Sequence, residues 1–202
     1  MTYLLCHGFG FDHSYWENLI PFLDDKYEFF DENFKIHSEK RYLGIGHSFG
    51  FLKLNNSGIN FRALVGLQGF LNFCGYEAAH RENLQKNLDR MIEKCAKNPL
   101  RFLEFFHNLC GYEQQFDFRN ISKENLLQDL EMMKNSYNHC GTLTLIIGSH
   151  EDKVVEHIIL KDNFENRKNI QVKYIDGVNH TLGFSKPKET FELIKRFLKE
   201  LP

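Results

Sequence analysis

The sequence predicts an α/β protein: a mostly parallel sheet flanked by helices, with a helical segment inserted into it. Three observations predict this. A short, continuous apolar run at residues 3–6 and apolar-rich runs at 61–67 and 143–148 have the length and composition of buried strands. Such runs alternate with segments of helical periodicity, the pattern of parallel strands joined by crossover helices. Between about residues 72 and 140 the alternation stops and only helical patterns remain. At 202 residues the chain fits one domain and can bury a substantial core without staples.

The first strand, Tyr3-Leu4-Leu5-Cys6, ends in the glycine-rich turn His7-Gly8-Phe9-Gly10. Ser14-Tyr15-Trp16-Glu17 then reads as a capping box, and Trp16, Leu19, Ile20 and Leu23 have the spacing of one helical stripe, with Pro21 in conflict. A second strand is expected at 27–30, and the polar residues 31–40 read as loop. Residues 41–45 form the next strand and lead into Gly46-His47-Ser48-Phe49-Gly50. The helix after Ser48 is short, because Asn55-Asn56-Ser57-Gly58 is a strong stop signal. A strand at 61–67 precedes the insert.

Within the insert, Leu84, Leu88, Met91, Ile92 and Cys95 mark one amphipathic helix. Pro99 opens a second, carrying Phe102, Leu103, Phe105, Phe106 and Leu109, and a third starts near Ser122 with Leu126, Leu127, Leu130 and Met133. The alternation resumes with strands at 143–148 and 170–175. Pro187 sits early in a final helix bearing Phe191, Ile194, Phe197, Leu198 and Leu201.

Composition narrows the function. Hydrophobic residues are 42% and charged residues 26%, the balance of a soluble globular chain, and a formal charge of −2 gives no reason to expect a nucleic acid or an anionic membrane as partner. Five scattered cysteines without a C-x-x-C read as reduced thiols of a cytoplasmic protein. The N-terminus lacks the basic residues of a signal peptide, and no apolar run is long enough to span a bilayer. His150, Glu151, Asp152, Glu156 and His157 fit no zinc spacing, so no metal is expected.

The chemistry centres on Gly46-His47-Ser48-Phe49-Gly50, which fits Gly-x-Ser-x-Gly. In that pattern a strand-to-helix turn holds a serine oxygen clear of the sheet, and a side chain on either flanking glycine clashes with the neighbouring strand and helix. His47 fills the variable position and reads as packing. A serine nucleophile needs a base, a group that orients the base, and N–H donors for the oxyanion. Gly148-Ser-His-Glu-Asp152 closes one predicted strand, Val178-Asn179-His180 follows the next, and His7-Gly8-Phe9-Gly10 closes the first. All lie at carboxyl ends of strands, where open parallel sheets build their sites. Glu151 competes with Asp152 for the acid's place.

Taken together these residues resemble the α/β-hydrolases, and the resemblance runs from His7 to the C-terminus. It implies a reduced α/β-hydrolase fold with residues 1–71 and 141–202 as the core and 72–140 as a helical lid. It assigns Ser48 as nucleophile, Asp152 as acid and His180 as base, with the Phe9 and Phe49 N–H groups as the oxyanion hole and no cofactor. The Asp152-Lys-Val-Val that follows fits the family and favours Asp152 over Glu151. Three segments are also similar to the pimeloyl-[acyl-carrier protein] methyl ester esterases of biotin synthesis: Arg101-Phe-Leu-Glu-Phe-Phe-His-Asn-Leu-Cys-Gly, Asp152-Lys-Val-Val, and His180-Thr-Leu-Gly-Phe-Ser-Lys-Pro187. That similarity implies an ester substrate on acyl-carrier protein, with Phe102 and Phe106 lining the acyl chain and Lys97 and Arg101 meeting the acidic carrier. A general short-chain esterase or thioesterase is the alternative, and a non-catalytic acyl-binding protein a second. The chain departs from the family in three ways. Ahead of Ser48 the family's leading hairpin and one crossover helix are not expected, Phe51 stands where another glycine often does, and the acid loop carries one extra residue.

Overall fold

The structure is a computed structural model that describes all residues except 25, 32, 33, 38, 115–121, 166 and 202, with the backbone alone at 79. Among the described residues six strands form one sheet: β1 (Thr2–Cys6), β2 (Lys26–Phe29), β3 (Tyr42–His47), β4 (Ala63–Leu67), β5 (Thr144–Gly148) and β6 (Ile170–Tyr174). Their spatial order is β2-β1-β3-β4-β5-β6, and every adjacent pair is parallel. β3, β4 and β5 are buried at every position and β1 at all but the first, which is why these segments read as apolar-rich runs. The edge strands β2 and β6 keep exposed positions.

The strand order reverses at β1, whose neighbours are β2 on one side and β3 on the other. Chains leaving β1 and β3 therefore diverge to opposite faces and open a crevice at their carboxyl ends. His7–Gly10 and Ser48 both emerge there.

Two glycines let the turn after β3 close. A Cβ on Gly50 would fall on the Cys6 and His7 carbonyl oxygens, and one on Gly46 on the Phe51 backbone. Both obstacles are main chain and cannot be relieved by a rotamer. The helix that follows, α1 (Phe49–Asn55), has only seven residues, ending at the expected stop.

Residues 12–23 differ from expectation. There is no capping box at Ser14 and no single amphipathic helix. Two 3₁₀ turns stand there instead, His13–Trp16 and Ile20–Phe22. Asp12 is the cap, its carboxylate accepting from the Ser14 N–H (2.8 Å). Pro21, with no N–H to give, sits in the opening turn of the second segment and prevents one continuous helix.

Between β4 and β5 lie α2 (Ala78–Lys97), α3 (Pro99–Cys110) and α4 (Lys123–Met132). The expected insert, 72–140, includes residues 115–121, which lie outside the described residues. Asn98 caps α3 by accepting from Arg101 N–H (3.1 Å), Pro99 takes a first-turn position, and Gly111 ends the helix at φ 74°. Ser122 caps α4 in the same way. Of the expected stripes, Leu88, Cys95, Phe102, Leu103, Phe106, Leu126, Leu130 and Met133 are buried, while Phe105 is 53% exposed. The Lys53–Asp129 ion pair (3.0 Å) ties α4 to α1. After β5 come α5 (His157–Phe164), α6 (Leu182–Ser185) and α7 (Pro187–Lys199), which buries Phe191, Ile194 and Phe197. No helix among the described residues is long and apolar enough to cross a membrane.

Candidate active site

Three side chains from three strand ends meet. The Ser48 hydroxyl lies 2.9 Å from His180 Nε2, and His180 Nδ1 lies 2.8 Å from Asp152 Oδ2. Nδ1–H donates to the carboxylate, which leaves the Nε2 lone pair to accept the serine proton. Ser48 has φ 52° and ψ −122°, a conformation a non-glycine residue adopts only under constraint. The constraint is visible: Ser48 N–H is held by the Leu67 carbonyl at the end of β4 (2.8 Å), and the flanking glycines admit no Cβ. The hydroxyl makes no capping bond to α1 and so faces the imidazole.

Asp152 and Glu151 have different surroundings. Asp152 is buried, and Oδ1 accepts from Val154 N–H (2.8 Å) and Val155 N–H (2.9 Å). Oδ2 accepts from His180 and from the Gln68 side-chain amide (2.7 Å). Four N–H donors thus fill the acceptor positions of one carboxylate. Glu151 is exposed and points elsewhere, to the Ser149 hydroxyl (2.8 Å) and Gly177 N–H (3.1 Å). The Ser149 hydrogen bond holds its carboxyl below the usual range.

His180 is fully buried. Its N–H donates to the Cys110 carbonyl at the end of α3 (3.1 Å), and beside it Asn179 Nδ2–H donates to Leu109 O (2.6 Å). Asn179 Oδ1 accepts from Lys153 N–H (3.0 Å), joining the loop of Asp152 to the loop of His180. His47, in the variable position of the turn, is more than packing: Nε2–H donates to the His180 carbonyl (3.2 Å). Its ring stacks on Tyr15 at 4.0 Å, and burial, then the nearby His180, holds it well below the usual imidazole range.

Phe9 and Phe49 are buried, and among the described residues neither backbone N–H has a hydrogen-bond acceptor. The Phe9 loop is fastened to α3, since His107 Nε2–H donates to Gly10 O (2.7 Å) and the His107 ring stacks on Phe11 (4.6 Å). Phe106 meets the Phe9 ring edge-on at 5.3 Å, and Phe102 lies 6.1 Å from it. Phe102 also floors a groove of about 420 Å³ shared with Lys94, Lys97, Asn98, Arg101 and Phe105. Lys97 and Arg101 are exposed there. Burial pushes the Cys6 thiol up to about 12, and pushes Cys110 up too, so neither is a thiolate nucleophile.

Gln68, His47, Asn179 and His107 are the contributors that sequence reasoning missed. Gln68 had one available signal: a polar residue directly after a buried strand, at the sheet edge where the site forms. The other three bond to backbone carbonyls of distant segments, and no local pattern encodes that.

Comparison with known proteins bears on the fold. No protein-family model and no curated protein matches the chain. Solved structures do match along nearly its whole length. An esterase from Exiguobacterium antarcticum superposes with a TM-score of 0.75 at 12% identity, covering 99% of this chain and 92% of that one. A hydrolase from Oleispira antarctica gives 0.75 at 17%, covering 99% and 91%. MenH from S. aureus gives 0.66 at 16%, covering 99% and 94%. The sheet and these likenesses identify a reduced α/β-hydrolase fold.

Proposed function

We propose that the chain is a serine hydrolase acting on a carboxylic ester, and that Ser48, His180 and Asp152 are its catalytic residues. The single observation that carries this is the continuous Ser48–His180–Asp152 hydrogen-bond chain at 2.9 and 2.8 Å, built on a strained serine. In this reading His180 Nε2 takes the Ser48 proton as Oγ attacks the ester carbonyl, and Asp152 stabilises the imidazolium. The oxyanion is received by the Phe9 and Phe49 N–H groups. The imidazolium then protonates the departing alkoxide. Water, deprotonated by His180, cleaves the acyl-enzyme and returns the serine.

The finer reading is demethylation of pimeloyl-[acyl-carrier protein] methyl ester, in the cytoplasm, with residues 72–140 as the lid. It rests on the segment similarities. It is supported by Phe102 bordering both the Phe9 ring and a groove that carries exposed Lys97 and Arg101, cations suited to an acidic carrier. A general short-chain esterase or thioesterase is favoured by a different observation: Ser48 is only 4% exposed, which suits a small acyl group.

A fluorophosphonate probe tests the core reading. Ser48 should be labelled in the parent protein and not in Ser48→Ala; an unlabelled parent points to the non-catalytic alternative. Complementation of a biotin-requiring strain that lacks its esterase tests the finer one. Growth, lost in a Lys97→Glu/Arg101→Glu variant that still cleaves nitrophenyl esters, is the expected result. No growth despite good expression, with activity peaking on acetyl esters, favours the generalist.

A further inference from the structure

The end of β4 touches the Ser48 turn, Asp152 and the loop of His180, although it supplies none of the three reacting groups. The Leu67 carbonyl holds the Ser48 N–H (2.8 Å). The next residue, Gln68, is fully buried and has φ 53°, the left-handed region that a glutamine enters only under constraint. Its N–H donates to Ile147 O in β5 (2.7 Å). Its side-chain amide has three partners. Nε2 donates one hydrogen to Asp152 Oδ2 (2.7 Å) and the other to the Asn179 carbonyl (2.6 Å), while Oε1 accepts from Leu182 N–H (3.0 Å). Turning the amide over would set oxygen against two oxygens and nitrogen against an N–H, so one orientation satisfies all three contacts.

We propose that Gln68 is a positioning residue that holds acid and base as one unit. Its amide bridges Asp152 to both sides of His180, through the residue before it and the residue two after it. This rests on the triad reading above. The oxygen it binds, Asp152 Oδ2, is the one that His180 Nδ1–H meets. The amide thereby sets which lone pair of that oxygen faces the imidazole and how far the base loop stands from the acid. The left-handed backbone is what turns the side chain away from the next strand position and into the gap between the two loops. Its cost persists because three hydrogen bonds in a dry site offset it.

Two variants test this. Gln68→Asn keeps a residue that tolerates the left-handed region, but its amide is one methylene too short to bridge. It should fold, label with fluorophosphonate slowly, and lose about 10- to 100-fold in kcat with KM little changed, because the base is misplaced and not removed. Gln68→Glu keeps the length. As a carboxylic acid it still donates to Asp152, and as a carboxylate it repels it. Its kcat relative to the parent should fall as pH rises, and the low-field proton resonance of His180 Nδ1–H should fade with it. A folded Gln68→Asn with parental kcat, or a Gln68→Glu whose ratio to the parent is flat with pH and whose resonance persists, overturns the proposal. These outcomes leave the triad reading standing if the parent labels at Ser48. An unlabelled parent removes the triad reading itself.

Discussion

His47 donates through Nε2–H to the carbonyl of His180, 3.2 Å away, so the residue beside Ser48 grips the backbone of His180. The two rings lie 4.8 Å apart, and His47 rests flat on Tyr15. Replacing it with phenylalanine keeps an aromatic ring on Tyr15 but removes the donor. His47→Phe should lose about 1–3 kcal/mol of stability, the cost of an unsatisfied buried carbonyl. It should also lose roughly tenfold in kcat as the loop of His180 relaxes. Denaturant melts and ester hydrolysis check the two effects separately.

The two neighbouring carboxylates should separate cleanly. Asp152→Asn removes the partner that fixes the His180 tautomer, and kcat should drop by about 10⁴. Glu151→Gln alters only the bonds of an exposed side chain to Ser149 and Gly177, and activity should stay within about twofold. Hydrolysis rates of the two purified variants decide it.

Stability should depend on acid in a defined window. Burial depresses His7 to about 4, depresses His47 well below its usual value, and lowers His107. Between the ordinary imidazole value near 6.5 and these lower values, the unfolded chain binds protons that the folded chain refuses. Stability therefore falls as pH drops from about 6.5, and for His7 the loss is complete below about 4. Urea midpoints at pH 7 and pH 4.5 measure the loss, and His7→Asn should shrink it.

The phenylalanines of α3 should divide by role. Phe106 is buried edge-on against Phe9, and Phe106→Ala should destabilise by about 3–5 kcal/mol. Phe102 faces the groove as well, so Phe102→Ala should shift preference toward longer acyl groups. A nitrophenyl ester series from acetyl to octanoyl reads that shift, and an unchanged profile makes Phe102 simple core.

The legible part of this protein was whatever its local sequence carries. Apolar-rich runs marked the inner strands because strands buried on both faces have little polar side to show. Ser48 was legible because Gly46 and Gly50 must be glycine wherever main chain passes that close. Asp152 and His180 were legible by order and by lying just past strands, with the family resemblance choosing between Asp152 and Glu151. Near Ser14 the local rules misled, because Asp12 and Ser14 are both good caps and only the observed turn selects Asp12.

Tertiary structure alone decided what holds the site in place. Gln68 reaches Asp152, Asn179 and Leu182 across more than 80 positions of chain, and His47 reaches His180 across 133. The end of α3 meets the base loop through the Leu109 and Cys110 carbonyls. Hydrogen bonds to a backbone carbonyl or amide place no demand on the partner's side chain, so they leave no mark at the partner's position. A strand, a turn or a capped helix is dictated by neighbours a few residues away and can be read there; a bridge between loops exists only once the sheet has set those loops side by side.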